Sequence, residues 1–402
     1  MTGPTVTILQ GDVLDQLRTL PDESVHCVVT SPPYWGLRDY GVEGQIGMES
    51  TIEEYINKMV GVFHEAKRVL RKDGTLWVNM GDSYASGGYA THNKGAAKDP
   101  ANCPAGWSSE ARGQGAMKTA GVSGLKQKDL VGQPWRLALA LQADGWYLRS
   151  DIIWSKPNPM PESCTDRPTK AHEYIFLLTK SPNYFYDNEA IREPVKEVSL
   201  ARAEYGWDCD RDSTKNASLG GKGIHVKKMG SRFVNPAGRN ARTVWEIATQ
   251  SYSDAHFATF PEELPRRCIK AGTSERGCCS KCGAPWERQT DRTPMVIDRS
   301  ERTHEKGRTR SSGTMVEPPT SKTTGYVAGC QCGTMETIPR TVLDVFAGSG
   351  TTGMVARGLG ISSILIELNP EYVKLIRDRT NANVSALDFF AESVSVIDPP
   401  EK

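Results

Sequence analysis

Short runs of β-branched and apolar residues recur along this chain with helical patterns between several of them, and that alternation restricts the fold more than any other feature of the sequence. The runs are Thr5 to Leu9, Val25 to Thr30, Leu76 to Met80, Asp151 to Trp154, Tyr174 to Thr179, Val342 to Val345 and Ile364 to Glu367. Between them, Ile52 to Leu70 has apolar residues at three- and four-residue spacing and stops at Asp73-Gly74, and Trp135 to Ala143 stops before Gly145. Strands that alternate with helices bury both faces of one sheet. The pattern predicts an α/β fold with a doubly wound, mostly parallel sheet.

Three polar segments break the rhythm. Ser83 to Lys128 is rich in Gly, Ala and Ser. Ile191 to Asn240 contains a basic run, and Gly283 to Gly329 is dominated by Arg, Thr, Ser, Glu and Pro. All three read as insertions into one sheet, the last of them mobile. The 402 residues are 38% hydrophobic and 24% charged, enough for a sizeable core, while 38 Gly and 24 Pro imply many loops. There is no apolar run of the ~18 residues that a membrane helix needs and no basic-then-apolar start, so a cytoplasmic protein without a membrane partner is expected.

The net charge of +1 leaves nucleic-acid contact to local patches. One exists between Thr214 and Trp245, where Lys215, Lys222, Lys227, Lys228, Arg232, Arg239 and Arg242 occur without an Asp or Glu. On composition alone it also fits a solvated loop.

Two short motifs carry chemistry. Thr30-Ser31-Pro32-Pro33-Tyr34 directly follows the apolar run Val25 to Val29. Consecutive prolines at a strand end fix an extended turn, which suits a site that must grip a flat amine. Such a nitrogen is a poor nucleophile because its lone pair is delocalised into a ring. Acceptors out of the ring plane, here Ser31 Oγ and the Pro32 carbonyl, would draw its hydrogens into a tetrahedral arrangement and localise the lone pair. Taken alone, the four residues fit a plain structural turn equally well. The second motif runs from Val342 to Gly353, VLDVFAGSGTTG, a strand, a glycine turn and a helix start. Glycines at 348, 350 and 353 let the backbone approach a ligand closely. Glu367 ends the next run, before Leu368-Asn369-Pro370, where an acid can accept both hydroxyls of a ribose. The same geometry serves NAD, so the glycines alone do not choose a cofactor.

Together the motifs resemble the amino-methyltransferases of DNA. Ser31-Pro32-Pro33-Tyr34 matches that family's catalytic motif, and Asp344 to Gly353 its cofactor motif. The catalytic motif comes first, as in the permuted, beta-type order of the family. Leu76 to Asp82, Ile153 to Pro157 and His172 to Phe176 resemble its intermediate segments. The resemblance implies a Rossmann-like methyltransferase fold, S-adenosyl-L-methionine as cofactor and DNA as substrate, with Tyr34 stacked on an extruded base. It assigns the cofactor to Asp12, Phe260, Pro261, Asp344, Phe346, Ala347, Gly348, Ser349, Gly350, Thr351, Thr352, Glu367 and Asn369. Asp12 resembles the acid near the adenine edge and Phe260-Pro261 the segment on the methionine part, while Asp344 orients the glycine loop and faces the cofactor's amino group. DNA contacts fall to Lys222, Lys227, Lys228, Arg232, Arg239 and Arg242, which can neutralise phosphates. Ser at the first catalytic position more often accompanies N4-cytosine than N6-adenine methylation, so cytosine is favoured. A bacterial or phage-encoded protein, a homodimer and a cognate restriction endonuclease also accord with the resemblance.

The ten cysteines are clustered, and in a reducing compartment that favours a metal over disulfides. Cys279-x-x-Cys282-Gly283 resembles a zinc-ribbon knuckle, and Cys330-x-Cys332 is a second half with one intervening residue where two are usual. Four thiolates would close a tetrahedral structural zinc site with no open position for catalysis, free thiols being the alternative, and Cys278 is read as a neighbour outside it.

These readings divide the chain into a catalytic half (1–82), an inserted DNA-facing loop (83–130) and the continuing catalytic half (131–190). A target-recognition region (191–250), a cofactor-packing segment (251–277), a zinc-ribbon-like insertion (278–335), a cofactor-binding half (336–390) and a tail (391–402) follow. Methyltransferases of RNA or protein amides place the cofactor motif first, against the order here. An inactive DNA-binding homologue conflicts with intact Ser31, Tyr34, Asp344 and Glu367. A C5-cytosine enzyme needs a Pro-Cys pair, and no Pro is followed directly by Cys.

Overall fold

The structure is a computed structural model that describes residues 3–37, 41–86, 118–195, 238–250, 260–293, 296–298, 314–317, 320–382 and 394–397. Lys222, Lys227, Lys228 and Arg232 lie outside the described residues. The first half comprises β1 (Val6–Gln10), α1 (Val13–Thr19), β2 (Val25–Thr30), α2 (Ile52–Val69), β3 (Leu70–Met80), α3 (Gln133–Ala143), β4 (Tyr147–Ser155) and β5 (His172–Thr179). Then come β6 (Val244–Glu246), α4 (Glu263–Gly272), β7 (Cys278–Cys279), β8 (Trp286–Thr293), β9 (Val296–Asp298), β10 (Thr314–Glu317), β11 (Thr320–Ala328) and β12 (Thr337–Ile338). The chain ends with β13 (Thr341–Asp344), α5 (Thr351–Gly358), β14 (Ser362–Glu367), α6 (Pro370–Ala382) and β15 (Val394–Ile397).

Helix α2 shows how the sequence specifies its elements. Thr51 caps it by accepting from the Glu54 N–H at 3.2 Å, Glu53 and Glu54 sit in the first turn, and Lys67 and Arg68 in the last. Ile52, Tyr55, Ile56, Met59, Val62, Phe63, Ala66 and Val69 are buried, a stripe at three- and four-residue spacing. Each large side chain so buried contributes about 1.5–3 kcal/mol of transfer free energy. The stripe joins a core with Val28, Leu76, Val78 and Met80. Side chains alternate across a strand, so Thr75 and Trp77 face the other side, where a Cβ on Gly272 of α4 would lie 2.4 Å from Thr75 Oγ1 and 3.2 Å from Trp77 Nε1. The sheet therefore carries helices on both faces.

Among the described residues that sheet has nine strands in the order β15-β1-β14-β13-β2-β3-β5-β4-β6. Strand β5 pairs antiparallel with both neighbours, and every other pairing in the sheet is parallel. From β13 the chain crosses to β14 on one side, and from β2 to β3 on the other. The parallel neighbours β2 and β13, with Leu343 opposite Val28, are thus the switch point of the topology. Ligands of open α/β sheets bind beyond the strand ends at such a point.

Asp73-Gly74, expected as the stop of a helix, lies within β3, where the register shifts so that Val25 pairs with Leu70 and Cys27 with Thr75. Gly74 is confined there, since a Cβ would meet Leu70 Cδ1 at 2.5 Å. Within the segment from Gly283 to Gly329, β8 and β11 form a ribbon that its composition does not signal, pairing antiparallel from Trp286↔Ala328 to Thr293↔Thr320. Most side chains of this ribbon are exposed or half-buried, so no apolar alternation announces it.

The described chain divides into two compact units. One, residues 1–186, 242–285 and 330–402, contains the large sheet. The other, residues 187–241 and 286–329, contains the ribbon and combines parts of the two regions expected at 191–250 and 278–335. Arg288 anchors this second unit internally, donating to both oxygens of the buried Asp187 at 2.9 and 3.1 Å. No described helix is long and apolar enough to cross a membrane.

Candidate active site

The Ser31-to-Tyr34 turn leaves the C-terminal end of β2 and is held from several directions. Tyr55 of α2 donates its hydroxyl to the Pro33 carbonyl at 2.8 Å. The Trp35 N–H donates to Gln133 Oε1 at 3.1 Å, the Trp35 indole to the Glu49 carbonyl at 2.8 Å, and the Gly36 N–H to the Gly47 carbonyl at 2.7 Å. Among the described residues no donor reaches the Pro32 carbonyl. Asp82 at the end of β3 completes the support by accepting from the N–H groups of Gly132 and Gln133, at 2.9 and 3.2 Å, where α3 begins. Burial pushes the Asp82 carboxyl above its usual range.

Tyr34 and Ser31 belong to a half-buried network centred on Glu173 of β5. Glu173 Oε2 accepts from Tyr34 Oη at 3.0 Å and from Asn79 Nδ2 of β3 at 2.9 Å, and its Oε1 accepts from Lys156 Nζ at 2.5 Å. Asn79 Nδ2 also reaches Ser31 Oγ at 3.4 Å. Burial, with the Glu173 charge as second cause, raises the Tyr34 hydroxyl well above the usual phenol range. Gly81 lies against the tyrosine ring, where a Cβ would come within 3.0 Å of Tyr34 Cε2. Glu173, Asn79 and Lys156 fall in the segments that resemble the family's intermediate ones, but the motifs assign them no role. The legible signal was an acid and an amide inside apolar strand runs, positions where a polar group needs a partner.

The glycine turn follows β13, beside β2. Asp344 is 1% exposed and uses both oxygens internally: Oδ1 accepts from the Phe346 N–H at 3.1 Å and Oδ2 from Thr352 Oγ1 at 2.6 Å. The turn needs left-handed backbone at Gly348 (φ 52) and Gly350 (φ 78). Gly353 lets α5 approach β14, since a Cβ would lie 2.4 Å from Leu365 Cδ1. Arg379 of α6 ties the turn from outside, donating to the Ser349 carbonyl at 2.8 Å, to its Oγ at 2.7 Å and to Thr351 Oγ1 at 3.0 Å. Glu367 at the end of β14 accepts from the Gly348 and Asn369 N–H groups, each at 2.8 Å, leaving further lone pairs on both oxygens. Burial lifts Asp344 to about 6 and Glu367 to about 7.

Strand β1 brings Asp12 to the same edge, next to Glu367, whose carbonyl accepts from the Gly11 N–H at 3.0 Å. Asp12 Oδ1 caps α1, accepting from Leu14 and Asp15 at 2.9 and 3.2 Å. Phe260-Pro261 opens α4, which packs on β2 and α5. Asn369 Oδ1 caps α6 through the Glu371 N–H at 2.9 Å. Arg239 belongs to the second unit and Arg242 to the first. The Arg239 guanidinium meets Glu193 at 2.7 Å within its own unit.

The sulfurs of Cys279, Cys282, Cys330 and Cys332 all lie within 4.8 Å of one another. Gly283 (φ 70) and Gly333 (φ 68) follow the two pairs in left-handed backbone, as tight knuckles require. Backbone N–H groups of Lys281 and Cys282 point at Cys279 Sγ and are the leading cause that brings it down to about 7. Cys278 turns instead toward the Ile338 carbonyl, at 3.4 Å. His26, for which the sequence offered no role, joins this corner to the sheet: Nε2 contacts the Gly283 carbonyl at 3.0 Å and Nδ1 accepts from the Thr341 N–H at 3.1 Å. Burial holds the imidazole down at about 4, so it is neutral.

A proline turn and a glycine turn at the switch point of a doubly wound sheet define a Rossmann-like transferase with a nucleotide-type cofactor edge. A DNA methylase family model, that of the N6 and N4 enzymes, matches residues 25–279 and 337–378, and the chain belongs to this family. It is 41% identical over 375 residues to the Type II methyltransferase M.Cfr9I of Citrobacter freundii, covering 93% of this chain and 87% of that protein. Identity to M.SmaI of Serratia marcescens is 37%, over 92% of this chain and 89% of the relative. The solved PvuII DNA methyltransferase (cytosine-N4-specific) superposes with a TM-score of 0.49 at 17% identity, covering 96% of this chain and 91% of that one.

Proposed function

We propose that this DNA amino-methyltransferase transfers the methyl group of S-adenosylmethionine to N4 of cytosine within a specific DNA site. The observation that carries the reading is the placement of Ser31-Pro32-Pro33-Tyr34 and the Asp344-to-Gly353 turn on adjacent parallel strands, β2 and β13. S-Adenosylmethionine supplies an electrophilic methyl on a sulfonium. Glu367 has lone pairs left for ribose hydroxyls, the Gly348 to Gly350 backbone allows close approach, Asp12 follows Gly11, which is hydrogen-bonded to Glu367, and Phe260-Pro261 would cover the methionine part of the cofactor. Ser31 Oγ and the unengaged Pro32 carbonyl accept the two amino hydrogens, so the nitrogen lone pair is localised for in-line attack. The nitrogen–carbon bond forms as the sulfur–carbon bond breaks with its electron pair moving to sulfur, and the surplus N–H proton passes to water.

The choice of cytosine rests on Ser31 at the first catalytic position, and N6 of adenine is the second reading. Digestion of DNA from cells expressing the protein, followed by mass spectrometry of the nucleosides, is expected to show N4-methylcytosine. N6-Methyladenine alone would reverse the assignment. The Type II designation of the relatives supports a restriction-modification setting, with a cognate endonuclease as partner and the basic run from Lys222 to Arg242 at the DNA backbone.

The four clustered thiolates fit a structural zinc, which Cys279, Cys282, Cys330 and Cys332 would hold as a closed tetrahedral set. One zinc per chain is expected by elemental analysis, and Cys282→Ser should lower that content and the thermal midpoint together. A metal-free wild type with an unchanged midpoint after chelation would exclude the site.

A further inference from the structure

Everything the Ser31 hydroxyl does depends on which way its hydrogen points. To help activate an amine it must present a lone pair, yet a free hydroxyl beside an NH2 group can as easily donate. Two observations show how the fold removes that freedom. Tyr34 Oη donates to Glu173 Oε2 at 3.0 Å, so the phenol hydrogen is committed and its oxygen is an acceptor. The Ser31 hydroxyl and the Gly81 amide are the donors placed to act on that oxygen. Glu173 accepts from Tyr34, Asn79 and Lys156 together, so the direction of these three bonds is set from its carboxylate. Asn79 completes the arrangement. Its NH2 group must face Glu173, and the same group reaches Ser31 Oγ at 3.4 Å, a second contact that Ser31 can meet only as an acceptor.

We infer that Glu173 is a positioning residue that, through Tyr34 Oη and Asn79 Nδ2, turns the Ser31 hydroxyl hydrogen away from the substrate and keeps Ser31 Oγ an acceptor for the target amine. Tyr34 on this reading has two separable duties, its ring against the base and its hydroxyl in the chain from Glu173 to Ser31. Lys156 holds the far carboxylate oxygen, so that the near one stays aimed at Tyr34 and Asn79.

The inference rests on the amino-methyltransferase reading, and the two fail differently. Single-turnover transfer of tritiated methyl from S-adenosylmethionine to DNA is measured for the full chain, for Glu173→Gln, for Tyr34→Phe, which keeps the ring and removes only the hydroxyl, and for the double variant. Cofactor affinity is measured alongside. Each single variant is expected to slow transfer by about tenfold with cofactor affinity held within about twofold, and Glu173→Gln is expected to cost less than about twofold more in the Tyr34→Phe background. Such coupling is not expected if Glu173 merely supports the fold. Equal losses from Glu173→Gln in both backgrounds, or an unimpaired Tyr34→Phe, would overturn the inference while leaving the enzyme reading intact. If Glu173→Gln does not fold, Tyr34→Phe alone decides between the two outcomes. A wild-type chain that binds DNA and cofactor but transfers no methyl would overturn the reading beneath it.

Discussion

Replacement of Ser31 by alanine is expected to slow methyl transfer by about two to three orders of magnitude while leaving S-adenosylmethionine affinity within about twofold. The magnitude follows from removing one of two acceptors that act on the amine as charge develops on it, in a site where the remaining groups are fixed. The sparing of cofactor binding follows from topology. Ser31 extends from β2 into a network with Asn79 and Glu173, whereas the glycine turn is organised from β13 by Asp344, Thr352, Glu367 and Arg379. Asp344→Ala should therefore give the reverse result. It leaves the Phe346 N–H and Thr352 Oγ1 without their acceptor, loosens the turn and weakens cofactor binding first. Equilibrium dialysis with labelled cofactor, run beside single-turnover transfer to DNA, separates the two variants. Comparable loss of cofactor affinity in Ser31→Ala and Asp344→Ala would refute the division of roles.

The parts of this site that were legible in the sequence are those whose chemistry is local. A Pro-Pro turn after an apolar strand and a glycine turn before a helix each restrict their own backbone, so Ser31 to Tyr34 and Asp344 to Gly353 stand out without knowledge of what faces them. Cys279, Cys282, Cys330 and Cys332 are similar, since their spacing and following glycines mark knuckles, although the two halves are separated by the whole β8–β11 excursion. Glu173, Asn79 and Lys156 were opaque for the opposite reason. Each owes its position to pairing between β3, β5 and β4, with Met80 opposite Tyr174 and Trp154 opposite Glu173, and that register depends on β5 running against its neighbours. The Gly283 to Gly329 ribbon escaped notice because its pairing is made by backbone bonds between strands with largely solvated side chains. Asp12 illustrates a third case. The sequence offered it as a cofactor ligand, and in the structure its Oδ1 caps α1.

The largest effect expected from solution conditions alone is a fall in cofactor affinity as the pH drops from about 8 to 5.5. Burial raises Glu367 to about 7 and Asp344 to about 6, so both carboxyls gain protons in the folded protein at pH values where the unfolded chain holds them ionised. Between the unfolded and folded values the native state binds more protons, and apo-protein stability from these two groups therefore declines as the pH rises through that window. Cofactor acts in the opposite sense. A ribose hydroxyl donates to an ionised Glu367, and a protonated carboxyl has given up part of the acceptor capacity that Gly348 and Asn369 leave free. Affinity is expected to weaken by up to about tenfold per pH unit below about 7, and more steeply below about 6, where protonated Asp344 releases its grip on Thr352 or Phe346. Acid thus stabilises the empty protein through this pair while weakening the complex, so thermal midpoints measured with and without cofactor should diverge at pH 8 and converge near pH 5.5. Titration calorimetry across that range checks the affinity directly, with Glu367→Gln as the control that removes the upper part of the pH dependence. A wild-type affinity that is flat across the range, or one that strengthens in acid, would mean that neither carboxylate faces the bound cofactor.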